Sequence, residues 1–525
     1  MKIYKLQIEG YKNLQNLAIQ FDESNRSFNT VIVGENGTGK SNILEAIILI
    51  FRDLELGKNR PPFKYQISYK CRENMINIDA DPSRIRKIFN ISVNNDKISY
   101  EKFKEQRRKH FLPNYVFGYY SGPSNRMESL FEIHQKKFYD NLIKKETTEE
   151  DENLRPLLYA RHIHSQFALL SFFLESEDNS SKFLKDYLGI EGFDSALFVI
   201  KEPPWDSDEG DQRFWRARGS VQKLLSKLYD ISLAPLRLKQ YVHIDFRRRK
   251  TTEHLYLYIK DLTTLKELSG QYQSPQEFFK ALESTYISKL ISAVRIRVKI
   301  RTKDGSLTFS ELSEGEQQLL MVLGLLKFTK EAESIFLLDE PDTHLNPAWS
   351  VSYLKILKDV LGEQETSQMI MTTHDPLVIS GLTRSQVIIL RFDEKKNLFV
   401  AEHPEYDPIK MGYPEILTSD IFKLKSIINP EIEKLLNLKR ELSIRDDLNA
   451  EELKRLSELD KELDGFDFTE AVRDPLYEPF IRAMTEIKAE EKFEEPVLTK
   501  EQFEKRKQMA KEILNKIKLE RNHFQ

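Results

Sequence analysis

A glycine-rich segment near the N-terminus limits the folds open to this chain. It runs from Gly34 to Ser41 and reads Gly-Glu-Asn-Gly-Thr-Gly-Lys-Ser, which fits the pattern G-x-x-x-x-G-K-[ST]. The β-branched run from Val31 to Val33 predicts a buried strand before it, and the apolar residues up to Ile50 predict a helix after it. In the context of a strand, a glycine loop and a helix, backbone N–H groups cradle phosphates. The sequence therefore predicts a nucleotide phosphate site.

Two side chains of this loop carry the expected chemistry. Lys40 is expected to reach the β- and γ-phosphates, and the hydroxyl of Ser41 is expected to bind Mg²⁺. The predicted cofactor-binding residues of the loop and of the first helical turn are Gly34, Asn36, Gly37, Thr38, Gly39, Lys40, Ser41 and Asn42.

Two later hydrophobic strands are predicted to end in reactive side chains, one in Asp339 and Glu340 and the other in His374. Asp339 would hold Mg²⁺ through water, opposite Ser41. Glu340 would orient and deprotonate the attacking water, and His374 would contact the γ-phosphate. The predicted catalytic residues are therefore Glu340 and His374, and the predicted metal ligands are Ser41 and Asp339.

A second anion-binding position is predicted where Ser313 and Gly315 precede an apolar helix, Leu319–Phe328. The N-terminus of a helix attracts phosphate. Because the phosphate loop already provides a complete cradle, a second such position indicates a site that is closed by another copy of the chain.

Length and spacing indicate several lobes. More than half of the 525 residues separate the loop from Ser313, which leaves room for an inserted lobe. The predicted parts are 1–126, the N-terminal part of the head; 127–240, a mainly helical insertion; 241–408, the C-terminal part of the head; and 409–525, a helical interaction module. The chain shows no run of about 18 apolar residues and has a single cysteine, so no membrane contact and a cytoplasmic location are expected.

The four motifs resemble those of the ABC-type ATPases of the structural-maintenance, recombination and overcoming-lysogenization-defect group. The tract Leu312–Gln318 resembles their signature motif, and Ile335–Pro347 resembles their Walker B motif and D-loop. The resemblance implies an α/β fold: an ABC-type P-loop head containing a mixed sheet with an antiparallel patch, a helical insertion and a C-terminal helical module. It also implies ATP and Mg²⁺ as cofactors and a head-to-tail dimer. Ser313, Gly315 and Glu316 of one chain would then contact the ATP of the other.

The glutamine of the family's Q-loop has no clear counterpart. The turn at Ser121 and Gly122 lies where that loop is expected, and Gln66 is the alternative.

The C-terminal tract Glu415–Phe422 and the charged helices after it are similar to the PtuA-type ATPases of Septu and retron-linked anti-phage systems. This resemblance implies a separately encoded HNH nuclease of the PtuB type as partner, and DNA as a further partner. Two alternatives remain open: an ATP-dependent DNA clamp for repair or chromosome maintenance, and a slow-turnover nucleotide-binding scaffold.

Three weaker features have competing interpretations. The basic run Arg247–Lys250 is either a phosphate-backbone contact or a solvated loop. The tail helix with Lys505–Lys507 is expected to dock on protein. His162 and His164 diverge if they lie on a helix, so a structural role is favoured over metal binding.

Overall fold

The computed structural model describes residues 1–21, 28–144, 156–175, 178–205, 209–243, 249–301, 306–328, 333–361, 366–424, 427, 429–444 and 448–464. Arg247 and Arg248 of the basic run and the predicted tail helix lie outside these ranges. The chain divides into two compact units, Met1–Lys423 and Leu424–Gln525, which are described separately.

The bounds of the elements are as follows. The strands are β1 (Lys2–Glu9), β2 (Leu17–Gln20), β3 (Asn29–Gly34), β4 (Lys64–Cys71), β5 (Asn74–Ala80), β6 (Phe89–Val93), β7 (Asp96–Ile98), β8 (Tyr115–Tyr120), β9 (Leu157–Tyr159), β10 (Ile190–Lys201), β11 (Leu236–His243), β12 (Arg249–Ile259), β13 (Ile291–Ile300), β14 (Ser306–Thr308), β15 (Ser334–Asp339), β16 (Gln368–Thr372), β17 (Val387–Asp393) and β18 (Leu398–Glu402). The helices are α1 (Lys40–Glu55), α2 (Tyr100–Gln106), α3 (Ser129–Lys144), α4 (Ile163–Leu174), α5 (Asp178–Asp186), α6 (Gly219–Ile231), α7 (Leu262–Ser269), α8 (Pro275–Ile287), α9 (Glu314–Phe328), α10 (Pro347–Leu361), α11 (Pro376–Ile379), α12 (Tyr413–Thr418), α13 (Pro430–Ile444) and α14 (Ala450–Asp464).

A seven-stranded sheet in the order β18-β17-β3-β16-β15-β8-β9 forms the centre of the first unit. Every neighbouring pair in it is parallel except β17 and β18. The phosphate loop follows β3, and β16 lies between β3 and β15. The carboxyl ends of these three strands therefore meet at one edge, where ligands bind in sheets of this kind.

Both faces of this sheet are buried, which explains why its strands are almost continuously apolar. Alternate residues of β15 enter two different cores: Ile335 and Leu337 pack with the first helix and the N-terminal strands, whereas Phe336 and Leu338 pack with the inserted elements. The central sheet thus separates two hydrophobic cores, and its carboxyl edge is held from both sides.

A six-stranded antiparallel sheet, β2-β1-β4-β5-β6-β7, packs with α1 on one side of the central sheet. Its strands alternate between buried and more exposed residues, as expected when one face lies on a core. The predicted α/β class, with a mixed sheet and an antiparallel patch, is confirmed.

The inserted part, predicted as mainly helical over 127–240, contains strands as well as helices. It contains α3 to α6, but also β9, β10 and most of β11, and the strand order β11-β12-β10-β13-β14 forms a third, antiparallel sheet. The central strand β10 pairs with β12 and β13, whose residues come some way later in the chain. Strand pairing over such separations is not encoded in the local sequence. The helical periodicity of the neighbouring segments therefore dominates a prediction made from sequence.

In the second unit, α13 and α14 are the charged helices predicted after Phe422. Asn449 caps α14: its Oδ1 accepts from the backbone N–H of Glu452, and Glu452 Oε2 accepts from the N–H of Asn449. This reciprocal pair is a capping box. Among the helices of the described ranges, none is long and apolar enough to cross a bilayer.

Candidate functional site

Two glycines of the phosphate loop are required by close contacts. A Cβ added at Gly34 would lie 2.3 Å from the carbonyl oxygen of Leu390, and one added at Gly39 would lie 2.7 Å from Asn13 Oδ1. Gly39 also has a φ of 102°, in the region that favours glycine, and it directly precedes α1. The loop is therefore held tightly between β17 and the turn that contains Asn13.

The side chain of Lys40 lies against the phosphate loop. Its Nζ donates to the carbonyl oxygens of Gly34 at 2.7 Å and Glu35 at 3.1 Å. Burial lowers the pKa of Lys40, while the carboxylates of Glu340 and Asp339 oppose that decrease. The ammonium group is thus placed between the loop and the acidic strand end, where a bound phosphate chain would be neutralised.

Asp339 at the end of β15 is buried and only partly satisfied. Its Oδ1 accepts from Thr372 Oγ1 at 2.5 Å. Its Oδ2 is buried and makes no hydrogen bond within the described residues. Burial raises the pKa of Asp339, and the hydroxyls of Thr372 and Ser41 oppose this rise.

This arrangement fits Mg²⁺. An unpaired carboxylate oxygen beside a serine hydroxyl is a donor set of the kind that Mg²⁺ takes up, together with phosphate oxygens and water. Ser41 and Asp339 are the residues that would hold the ion. When bound, Mg²⁺ would neutralise charge on the phosphates.

Glu340 and His374 form a pair beside Asp339. Glu340 Oε1 lies 2.9 Å from His374 Nε2, and both side chains are about one-third exposed. Glu340 has a φ of 54°, and its backbone N–H donates to the carbonyl oxygen of Thr372 at 3.2 Å. The hydrogen bond from His374, followed by the charges of His374 and Lys40, lowers the pKa of Glu340 despite partial burial. Glu340 is therefore ionised and can accept a proton from water.

A polar network with no motif in the sequence fixes the first turn of α1. The side chain of Asn13 donates to the carbonyl oxygen of Gly37 at 3.0 Å and accepts from Asn42 Nδ2 at 2.6 Å. Arg126 donates to Asn42 Oδ1 at 2.6 Å and to Glu45 Oε1 at 2.5 Å. Asn42, predicted to bind the cofactor, is thus held in this network. No motif marks Asn13 or Arg126, because both lie outside the loop pattern.

The predicted signature residues form a helix cap. Ser313 Oγ and its N–H both donate to Glu316 Oε2, at 2.8 and 2.7 Å, and the N–H of Glu316 donates to Ser313 Oγ at 3.3 Å. A Cβ at Gly315 would lie 2.4 Å from the carbonyl oxygen of His344. Ser313 is exposed, and no hydrogen bond joins this cap to the phosphate loop in the described part of the chain. The predicted site residues that come together are Lys40, Ser41, Asp339, Glu340 and His374. The signature cap, Ser313–Glu316, lies apart from them.

Two further predicted positions have clear surroundings. The N–H of Ser121 donates to the carbonyl oxygen of Asp339 at 3.2 Å, and its Oγ lies 3.2 Å from Thr343 Oγ1. Gln66 lies instead on β4, opposite Gln7 and Asp79 in the antiparallel sheet. Of the Q-loop alternatives, only the turn at Ser121 therefore contacts the acidic strand end.

His164 is a structural residue. It is fully buried, its Nδ1 accepts from the N–H of Arg161 at 2.8 Å, and its Nε2 lies 2.5 Å from Glu283 Oε2. The exposed ring of His162 packs edge-on against Phe309 at 6.3 Å. Within the described residues, no group of three metal-ligating side chains is present.

The family model described as "AAA ATPase domain" matches residues 1–379. The chain belongs to this ATPase family. It is thus an ATPase, and the match includes the phosphate loop, the signature cap and the two strand ends of the site.

Several curated relatives are similar to this ATPase. The Septu protein PtuA of Bacillus thuringiensis is 23% identical over 222 residues, 38% of this chain and 55% of PtuA. The OLD nuclease of Thermus scotoductus is 22% identical over 413 residues, 77% of this chain and 64% of that protein. The retron Vc95 probable ATPase of Vibrio cholerae is 22% identical over 429 residues, 74% of this chain and 73% of that protein.

The match thus spans about half the length of the Septu relative. The resemblance to PtuA, to the overcoming-lysogenization-defect group and to retron ATPases is confirmed at this level. The head domain of an SMC protein from Thermotoga maritima overlays with a TM-score of 0.32 and 12% identity, covering 77% of this chain and 100% of the head. A TM-score this low supports no argument about the fold, which follows from the strand order of the chain itself.

Proposed function

We propose that this ATPase hydrolyses ATP at sites shared by two head-to-tail copies and, in an anti-phage defence system, uses ATP occupancy to control a separately encoded HNH nuclease. One observation carries the shared site. In the described part of the chain, no hydrogen bond joins the cap Ser313–Glu316 to the phosphate loop, while Lys40, Asp339 and Glu340 gather at the sheet edge. A helix start that lies away from its own phosphate loop is suited to the γ-phosphate of a second copy.

In the proposed reaction, each group at the sheet edge has a separate role. Lys40 neutralises the phosphate chain, and Ser41 and Asp339 would hold Mg²⁺. Glu340 takes a proton from water as the water oxygen attacks the γ-phosphorus, and ADP leaves. His374 holds the Glu340 carboxylate in place, 2.9 Å away, and contacts the γ-phosphate.

The defence role is supported by the similarity to PtuA and to the retron ATPase. We propose that the helical module 409–525 binds the PtuB-like nuclease, and that the insertion 127–240 couples DNA sensing to the head. The basic run Arg247–Lys250 is the proposed DNA contact, and we propose a cytoplasmic location. DNA binding at Arg247–Lys250 would weaken as the salt concentration rises, because phosphate contacts release counterions.

The proposal is tested by affinity purification of the tagged chain from its native host, followed by mass spectrometry. The Glu340→Gln variant is used to hold ATP, and Glu132→Gln on the exposed face of α3 is the matched control. An HNH protein recovered at a fixed ratio supports the proposed function. Recovery of self and DNA alone would favour an ATP-dependent DNA clamp instead, and slow turnover with neither partner would favour a nucleotide-binding scaffold.

A further inference from the structure

A cavity lies beside α9, the helix that follows the signature residue Ser313, and apart from the phosphate loop. Its volume is about 460 Å³, and it lies between the end of β8, the start of α4, the first turns of α9 and His344. No residue of the loop Gly34–Ser41 lines it. A volume of this size lies within the range of small-molecule sites.

The most informative side chain in this cavity is Gln318 on α9. It is 4% exposed, and neither its Nε2 nor its Oε1 has a hydrogen-bond partner among the described residues. Tyr119 lies near this amide, which opposes the rise in the pKa of Tyr119 that burial causes. No hydrogen bond of normal geometry joins the two side chains. Buried polar groups are normally satisfied, so this amide is a candidate for ligand contact.

The walls around this amide are aromatic and flat. Tyr119, Tyr120 and Tyr159 line the cavity together with Met321, and Tyr119 and Tyr159 are nearly buried. Aromatic rings stack on planar heterocycles. A glutamine amide, with one donor and one acceptor side by side, pairs in two hydrogen bonds with an adenine edge.

The charges of the cavity argue against a phosphate-bearing ligand. Glu128 is paired with Arg161 at 2.7 Å, and one further guanidinium nitrogen of Arg161 is buried without a partner. Glu314 lies 3.5 Å from His344 and is otherwise exposed. With two carboxylates and one guanidinium, the cavity is not electropositive, so a triphosphate would be repelled while a neutral nucleoside would not.

We propose that this cavity binds a purine nucleoside, stacked between the tyrosines and read by the Gln318 amide. The site borders both Glu314, in the first turn of the signature helix, and His344, whose carbonyl oxygen meets Gly315. A ligand there would hold the signature cap against the loop after β15, and so would regulate closure of two copies. This inference concerns a site separate from the ATP site and stands without the proposed nuclease partner.

The test uses adenosine, which lacks the phosphates that the loop requires, and the full chain carrying Lys40→Ala to disable that loop. Calorimetric titration is expected to show saturable binding of one adenosine per chain. Gln318→Met keeps the size of the side chain and removes the amide, so it should weaken binding at least about tenfold. Gln106→Met, on the exposed face of α2, is the control and should leave the affinity unchanged.

Photolabelling of the unmutated chain with 8-azidoadenosine makes the test independent of how well the Gln318 variant folds. The label is expected on peptides containing Tyr119, Tyr159 or Met321. Absence of saturable adenosine binding, equal binding by Gln318→Met, or a label confined to the phosphate loop would overturn the proposal. Gln318-dependent binding of an oligodeoxyadenylate without any binding of free adenosine would also overturn it, because the ligand would then be single-stranded nucleic acid.

Discussion

His374 Nε2 lies 2.9 Å from Glu340 Oε1, across the ends of the neighbouring parallel strands β16 and β15. The contact links the residue predicted to act as base to the residue predicted to contact the γ-phosphate. Thr372, two residues before His374, anchors both acidic residues: its Oγ1 donates to Asp339, and its carbonyl oxygen accepts from the N–H of Glu340. The geometry of the base is therefore fixed by the strand that carries the histidine.

Glu340→Gln should bind ATP but hydrolyse it slowly. The amide keeps the shape of the side chain and cannot take a proton, so turnover should fall about 10²–10⁴-fold. Phosphate release and nucleotide retention on the purified protein measure the two effects. Glu132→Gln is the control, and near-normal hydrolysis by Glu340→Gln would show that another group is the base.

His374→Ala should shift the acidic limb of the pH–rate profile to higher pH. His374 is the largest cause of the lowered pKa of Glu340, and without it Glu340 takes up a proton at a higher pH. Activity that needs ionised Glu340 is lost as the pH falls through that pKa, so the loss should begin earlier in the variant. An unshifted limb combined with a uniformly lower rate would mean that His374 acts only on the phosphate.

Glu45→Ala should destabilise the chain. Glu45 is 1% exposed, and it accepts from Tyr11 OH at 2.8 Å and pairs with Lys12 and Arg126. Because both cations are partly exposed, the expected loss is about 2 kcal/mol, less than for a fully buried pair. Urea unfolding measures it, with Glu73→Ala, 87% exposed at its side chain, as the control. Equal midpoints for the two variants would contradict a structural role for the network.

Asp342→Asn should remove a pH dependence of stability. Burial raises the pKa of Asp342 from 3.8 to about 6, although Thr373 donates to its Oδ2. The folded state therefore binds this proton more tightly than the unfolded state, and that contribution, about 3 kcal/mol, is present below pH 4 and lost as the pH rises to 6.

The asparagine variant stays neutral and should show a flatter stability profile between pH 4 and 6. Urea unfolding at several pH values measures this, with Asp96→Asn on exposed β7 as the control. If stability changes with pH by the same amount in the variant and in the parent chain, a group other than Asp342 is responsible for the change.

The sequence alone leads to the strands that place the site, because the central sheet is parallel and its strands are short, apolar and followed by reactive residues. β1 (Lys2–Glu9) alternates in burial and β8 (Tyr115–Tyr120) is aromatic, and both are local patterns typical of strands. The order of the motifs predicts that Lys40, Asp339 and His374 lie close together, because the carboxyl ends of parallel strands share one edge of the sheet.

Other parts depend on contacts that no local pattern shows. β10 is central in its sheet only because β12 and β13 pair with it, and its Gly192 and charged residues weaken the strand signal. Asn13 reaches the loop from a turn more than 20 residues earlier in the chain, and Arg126 reaches Asn42, in the first turn of α1, from far downstream. Such partners are identified by geometry, since asparagine and arginine at a turn have no distinctive spacing.

The shared ATP site is tested most directly by mixing two inactive variants, Lys40→Ala and Ser313→Arg. Lys40→Ala removes the phosphate charge, and Ser313→Arg blocks the exposed cap, so each variant alone should have little ATPase activity. In a mixed head-to-tail pair, the intact loop of one chain meets the intact cap of the other. An equimolar mixture should therefore regain about a quarter of normal activity, because about half of the randomly formed pairs are mixed and each has one good site. A mixture as inactive as its components would contradict the shared site and place hydrolysis within a single chain.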